Sequence, residues 1–313
     1  MTASGDLRRS GEGAAPEAVA LSGASGLVGK ALRSRLESSG CRVLPLVRRI
    51  ARPGEISWDP EAGAIDLSAL EGVDAVVHLA GENIGEGRWT PAKKERIWSS
   101  RVRGTQVLCA GLACMKRRPS VLLSASAIGW YGNGGESCVD EHSPPGKGFL
   151  PELCKAWEAA TKPAAEAGVR VVNLRIGVVL SRRDGALAKM LTPFRLGLGG
   201  PIGRGRQFVS WIALPDLLGV MQWCLRDASL SGPVNATAPG ALRQAEFARA
   251  LGRTLRRPAV SPLPAFVIRL AMGEKGEALL LEGARVSPKK LLDAGFVFQY
   301  SEIEGALRAV LSS

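Results

Sequence analysis

Only two tyrosines and two histidines occur in the 313 residues of this chain. His78 and His142 stand far apart, and the six cysteines (Cys41, Cys109, Cys114, Cys138, Cys154, Cys224) form no CxxC pair and no regular framework. A zinc site and a disulfide scaffold are therefore both disfavoured, and no metal is expected; scattered thiols suit a reducing cytoplasm. Long apolar runs are also missing, and none approaches the roughly 20 residues of a membrane span. Arg8-Arg9 is not followed by an apolar segment, so residues 1–18 read as a disordered tail rather than a secretory or twin-arginine signal. Finally, no Asp or Glu lies between Glu37 and Glu55.

What is present is an ordinary globular composition, 46% hydrophobic and 22% charged, with a net charge of +12. The basic residues are spread along the chain with few aromatics between them and no nucleic-acid motif. They fit a basic surface that attracts anionic ligands; no nucleic-acid or membrane partner is expected. Apolar runs alternate with helical patterns: strands at 19–21, 42–47, 56–58, 74–79, 120–124 and 170–174, a helix after Thr90-Pro91, another over about 151–167. Pro45 is awkward inside the second strand. This alternation predicts an α/β protein with a doubly wound parallel sheet. The second half reads as a glycine-rich loop (197–205), a strand at 208–212, a helix at 214–226, a short strand at 234–236 and a mainly helical last third. The expected division is a cofactor domain over 19–240, with loop 181–206 contributing to the ligand cleft, and a small C-terminal domain over 241–313.

Between the first strand and its helix the chain reads Ser22-Gly23-Ala24-Ser25-Gly26-Leu27-Val28-Gly29-Lys30. Gly23 can turn with positive φ, Gly26 lets backbone approach a pyrophosphate, and Gly29 allows close helix–strand packing. The helix N-terminus supplies free N–H groups to the anion. A P-loop would need Gly at Ala24 and Ser or Thr at Ala31, so a nucleotide triphosphatase is disfavoured; a glycine turn with no ligand is the bland alternative. At the end of strand two, where an acid would bind a ribose hydroxyl, Arg48-Arg49 stand instead, favouring the 2′-phosphate of NADP(H) over NAD(H). Two solvated arginines are the competing reading. Strand four ends in His78-Leu79-Ala80-Gly81, whose small residues let a flat cofactor pass; His78 itself reads as a core histidine. Arg96 and Arg101 on the next helix either reach a phosphate or form a solvated face.

The stretch Ser124-Ala125-Ser126-Ala127-Ile128-Gly129-Trp130-Tyr131-Gly132, with Ser22 to Gly29, His78 to Ile84, Arg88-Trp89-Thr90, Leu153 to Glu158, Pro193 to Gly203 and Pro258 to Phe298, resembles the extended (atypical) short-chain dehydrogenase/reductases, and more narrowly their epimerase-family subgroup. The resemblance spans nearly the whole chain from Val19. It implies a Rossmann-type domain with a smaller, mainly helical C-terminal lobe and NADP(H) held by Gly23, Ser25, Gly26, Leu27, Val28, Gly29, Arg48, Arg49, Leu79, Ala80, Gly81, Arg96, Arg101 and Val179. The implied substrate is a small carbonyl compound or a sugar nucleotide; the oligomeric state is left open. Active members of the family use a serine, matched by Ser126, and a Tyr-x-x-x-Lys pair. Here Phe149 or Leu150 occupies the tyrosine place and Lys155 lies within a residue of the lysine place, so a placed acid worth roughly 10²–10⁴ in rate is missing. Three options stay open: Tyr131 acts as the acid with Ser126 orienting the carbonyl; Glu158 or Cys154 serves another reaction; or the site binds NADP(H) without turnover.

Overall fold

The computed structural model describes residues 14–312, so residues 1–13 of the expected tail lie outside the described residues. β1 (Ala18–Ser22) is buried throughout, as a strand covered on both faces must be, and passes through the glycine loop into α1 (Leu27–Ser38), which turns Leu32 and Leu36 inward. β2 (Arg42–Val47) pairs parallel with β1, and β3 (Ile56–Asp59) pairs parallel with β2 only at Leu46 and Val47. Pro45 therefore stands where β2 is still an edge on that side, which is how the strand tolerates it. β4 (Ala64–Ile65) turns back antiparallel on β3, and α2 (Leu67–Leu70), capped by Asp66, leads to β5 (Ala75–His78) on the other side of β1. α3 (Pro91–Cys114) begins as its sequence demands: the Thr90 side chain accepts the Lys93 amide and Pro91 opens the first turn.

β6 (Val121–Ala127) runs into a 3₁₀ turn, Ile128–Tyr131, and the short β7 (Cys138–Val139). The helix expected over 151–167 is two: α4 (Phe149–Ala159) and α5 (Lys162–Glu166). Pro163 has no N–H to continue the ladder, whereas Pro151 falls in α4's first turn, where none is needed. β8 (Arg170–Ile176), β9 (Val178–Leu180), α6 (Gly185–Arg195), β10 (Phe208–Val209), β11 (Trp211–Ala213), α7 (Leu214–Arg226) and β12 (Gly232–Ala236) follow. The single strand expected at 208–212 breaks at Ser210, whose hydroxyl donates to the Ala284 carbonyl and accepts the Val286 amide. Its two halves pair with different partners: β11 lies parallel to β9, and β10 antiparallel to β13 (Leu242–Arg243). The chain ends in α8 (Gln244–Leu255), α9 (Ala265–Met272), α10 (Glu274–Gly276), β14 (Arg285–Val286) paired with β7, α11 (Lys289–Asp293) and α12 (Ile303–Ser312).

The eight-stranded sheet has the order β12-β8-β6-β5-β1-β2-β3-β4 and is parallel except at β4. Helices cover both faces: α1 and α7 close a core over Val19, Leu21, Val77 and Leu123, while α3 closes a second over Ala20, Ile56, Trp58 and Leu122. The fold is thus the Rossmann-type α/β sheet with a mainly helical C-terminal region. A third core joins α6, β9 and β11 to α8 and α12 through Leu180, Phe194, Trp211, Phe247 and Leu307. Segments on both sides of residue 240 share it, and β13, just past that point, pairs back with β10.

Candidate functional site

The glycine loop is a backbone cradle. Gly23 adopts φ +69°, and a Cβ there would lie 2.8 Å from the Leu79 carbonyl carbon. At Gly29 a Cβ would come within 2.1 Å of the Gly23 carbonyl oxygen, so helix and loop meet with no room for a side chain. Gly26, exposed, is the N-cap of α1 and supplies no side-chain cap. The first intrahelical bond is Lys30 N–H to the Gly26 carbonyl, which leaves the amides of Leu27, Val28 and Gly29 ahead of the ladder. Ser25 is exposed beside them. An open set of amides at a positive helix end, with glycines wherever a Cβ would intrude, fits a diphosphate. Val28, Leu79 and Val179 pack together against the first core, and Gly185 at the start of α6 lies against Leu27.

Beyond β2 the two arginines part. Arg49 is spent on Glu55, donating from Nη1 to Oε2 at 2.7 Å, and that pairing holds the Glu55 carboxyl below its usual range. Arg48 is exposed and has no ion-pair partner among the described residues.

At the end of β5, Ser22 does work the sequence reading overlooked. Its Oγ accepts the amides of Leu79 (3.0 Å) and Ala80 (3.1 Å), so its own proton goes to His78 Nδ1 at 2.7 Å. That bond fixes the ring with its hydrogen on Nε2, a buried atom with no hydrogen-bond partner, and the ring stands edge-on to Trp58 at 5.5 Å. Burial pushes His78 down to about 4, so it is a neutral core histidine. Arg101, expected at a phosphate, instead donates to the carbonyls of Glu82 (2.9 Å) and Ile97 (3.3 Å) and lies over Trp157; burial lowers it to about 10. Its guanidinium is packed against Gly81, where a Cβ would sit 3.0 Å from Cζ. It braces the Gly81–Glu82 segment. Arg96 is exposed, 3.6 Å from Glu82 Oε1, an oxygen already held by Lys93 Nζ at 2.7 Å.

The end of β6 is closed. Ser126, 3% exposed, donates to Glu158 Oε1 at 2.7 Å, and Arg175 from β8 grips both oxygens of that carboxylate at 2.8 and 2.9 Å. Arg175 also stacks 3.8 Å over Trp130 and donates to the Tyr131 hydroxyl at 3.0 Å. The Tyr131 proton is shared between Asn235 Oδ1 (2.7 Å) and the Asp140 carbonyl (2.9 Å), and Asn235 is oriented by donating from Nδ2 to Ser287. Burial, opposed by Arg175, raises Tyr131 to about 12. The hydroxyl expected to swing in as an acid is thus 3% exposed and fully engaged. Lys155 is a second correction. It lies on the exposed side of α4, while Leu150 and Cys154 face the strand end: both lie against Gly129, and Cys154 Sγ is 3.7 Å from the Ala127 carbonyl. Lys155 is one position out of helical phase with the site. Burial raises the Cys154 thiol to about 12, which keeps it unreactive. The partners missed in sequence are Arg175, Asn235 and Ser22. A lone arginine inside the apolar run Val171-Val172-Asn173-Leu174-Arg175-Ile176 was the available signal, because a buried guanidinium requires a buried partner.

Past this cluster an open groove of about 450 Å³ lies between the loop after β6 and the C-terminal region, bordered by Asn133, Glu136, Arg204, Arg206, Arg243 and Arg269. Arg243 pairs with Glu136 and Arg269 with Glu277 (2.6 Å), leaving Arg204 and Arg206 as its unpaired cations among the described residues. The loop 197–205 is anchored on the segment before α9: Ser261 and Leu263 amides bond to its Gly199 and Pro201 carbonyls, and a Cβ on Gly200 would strike Ser261. Among the described residues no three His, Cys, Asp or Glu side chains gather to hold a metal, and no helix is long and apolar enough to cross a membrane.

A parallel sheet in this order, with an amide cradle after its first strand, defines a dinucleotide-binding protein of the short-chain dehydrogenase/reductase type. The chain belongs to the NAD dependent epimerase/dehydratase family, whose model matches residues 19–235; a domain of unknown function (DUF1731) matches residues 263–310. It is 44% identical over 290 residues to the epimerase family protein Mb2239 of Mycobacterium bovis, spanning 92% of this chain and 96% of the relative. Among solved structures it is similar to human epimerase family protein SDR39U1 with NADPH, at 36% identity and a TM-score of 0.88 over 95% of this chain and 99% of that one. A nucleoside-diphosphate sugar epimerase from Corynebacterium glutamicum matches at 35% identity and 0.78, over 95% of this chain and 58% of that one.

Proposed function

We propose that this chain is an NADP(H)-binding oxidoreductase or epimerase acting on a small carbonyl compound or a sugar nucleotide. The observation that carries the reading is the pairing of an open amide cradle at Gly23–Gly29 with an Arg48 that has no ion-pair partner among the described residues, at the end of the neighbouring strand. A guanidinium left without an ion pair in this place suits a 2′-phosphate, and the human relative binds NADPH. The cradle would hold the diphosphate, Leu79, Ala80 and Val179 would border the cofactor, and Arg204 and Arg206 would attract the anionic part of a substrate. When bound, NADP(H) supplies or accepts a hydride. Ser126 is the hydroxyl at the β6 end; it gives its proton to Glu158, and it would orient a substrate carbonyl only by turning from that carboxylate.

A second reading, that the protein binds and responds to NADP(H) without turnover, is favoured by one observation: Leu150 and Cys154 occupy the helical face that would present a proton donor, and Tyr131 is enclosed. Titration with NADPH and NADH tests the common core. The parent should prefer NADPH, and Arg48→Ala should weaken NADPH about ten- to a hundredfold, a charged hydrogen bond's worth, without changing NADH. Equal affinity in the parent overturns the assignment. Consumption of NADPH at enzyme-like rates with any of a panel of carbonyl compounds and sugar nucleotides excludes the second reading; saturable binding with none excludes the first.

A further inference from the structure

The C-terminal lobe carries an apolar face that the site does not use. α9 reads Ala265-Phe266-Val267-Ile268-Arg269-Leu270-Ala271-Met272, yet only Ile268 is buried. Phe266 and Leu270, one turn apart, are 69% and 78% exposed. The face is extended by Leu263 and Val260 just before the helix, and by Leu196 and Leu198, which the bonds from Ser261 to Gly199 and from Leu263 to Pro201 place alongside. Large apolar side chains exposed this near one another are of the kind that marks an interaction site. The rim is cationic: Arg195, Arg256 and Arg257 are exposed and have no ion-pair partner among the described residues, within a chain of net charge +12.

We propose that this face is a peripheral docking surface for an anionic phospholipid bilayer. Charge complementarity selects the occupant. A second copy meeting the same face would bring the same arginine rim to both sides of the contact, a like-charge arrangement that opposes pairing. The apolar groups also protrude from a helix instead of lining a cleft, so they suit a fluid interface that closes around them. Insertion of Phe266 and Leu270 at the acyl boundary, with arginines at headgroup level, is the pattern of an interfacial helix; it requires no spanning segment.

Co-sedimentation of the full chain with vesicles tests this. Binding to phosphatidylcholine vesicles containing phosphatidylglycerol should exceed binding to pure phosphatidylcholine and should weaken as salt is raised. Phe266→Ser with Leu270→Ser should lower partitioning at least about tenfold. Arg256→Gln and Arg257→Gln should each lower it about fivefold on anionic vesicles, and these exposed sites keep the test available if the apolar variants unfold. Unchanged sedimentation of the folded Phe266/Leu270 variant overturns the proposal. So does sedimentation no greater with anionic vesicles than without lipid, or a parent dimer that those substitutions convert to monomer.

Discussion

The ends of β1 and β6 point the same way in one parallel sheet, and they are built on opposite principles. After β1 the ligand-facing groups are backbone amides, freed by glycines where any Cβ would clash and left uncapped at the start of α1. After β6 the polar groups are side chains, and nearly all are consumed by one another: Ser126 by Glu158, Glu158 by Arg175, Arg175 by Tyr131, Tyr131 by Asn235. One end leaves its amides uncommitted; the other spends its hydrogen-bonding capacity on holding the fold. Position at a strand's C-terminal end is therefore no measure of availability. What matters is whether the donors and acceptors found there are already satisfied.

The contrast breaks most visibly at Glu158. With Arg175 only 2% exposed, Glu158→Ala strands a buried guanidinium and should cost about 3–5 kcal/mol in urea unfolding, whereas the Arg175→Met, Glu158→Leu pair should recover most of that loss. A cost below about 1 kcal/mol would show that the array is not structural. The next largest effect belongs to His78. Its folded pKa of about 4 lies below the unfolded value of 6.5, so its stabilisation is complete above pH 6.5 and lost as pH falls toward 4, about 3 kcal/mol in all. Stability measured from pH 7 to 5 should fall in the parent and flatten in His78→Gln; parallel slopes would mean that the histidine charges in the fold.

The glycine cradle was legible in the sequence because Gly23, Gly26 and Gly29 encode a backbone constraint at short range. So were the Thr90-Pro91 helix start and the burial of His78. The β6 end was only half legible. Ser126 and Tyr131 could be singled out, but their roles depend on Glu158, which meets Arg175 across 17 residues of sequence, and on Asn235, 104 residues from Tyr131. Helical phase decided the rest: a one-residue shift on α4 turns Lys155 to solvent and Cys154 to the strand, a distinction finer than spacing alone can fix. The break between β10 and β11 was hidden for a similar reason, since Ser210 is drawn to Ala284 and Val286, far along the chain.

Sharper tests follow at the open end and then the closed one. Gly29→Ala sets a methyl against the Gly23 carbonyl and should weaken NADPH binding at least about tenfold by displacing the α1 amides from the diphosphate. Unaltered affinity would mean that the loop holds no phosphate.

The smallest effect is the most discriminating. Tyr131→Phe removes a donor shared by Asp140 and Asn235 and an acceptor for Arg175, and should cost about 1–2 kcal/mol of stability. If the tyrosine is a strut, any NADPH-dependent turnover should survive per folded molecule. If it were the proton donor, turnover would fall by roughly 10²–10⁴ with little change in cofactor affinity. A hydroxyl raised to about 12 and enclosed by three partners has neither the acidity nor the freedom for the second role, so the variant should separate the strut from the acid by two orders of magnitude or more.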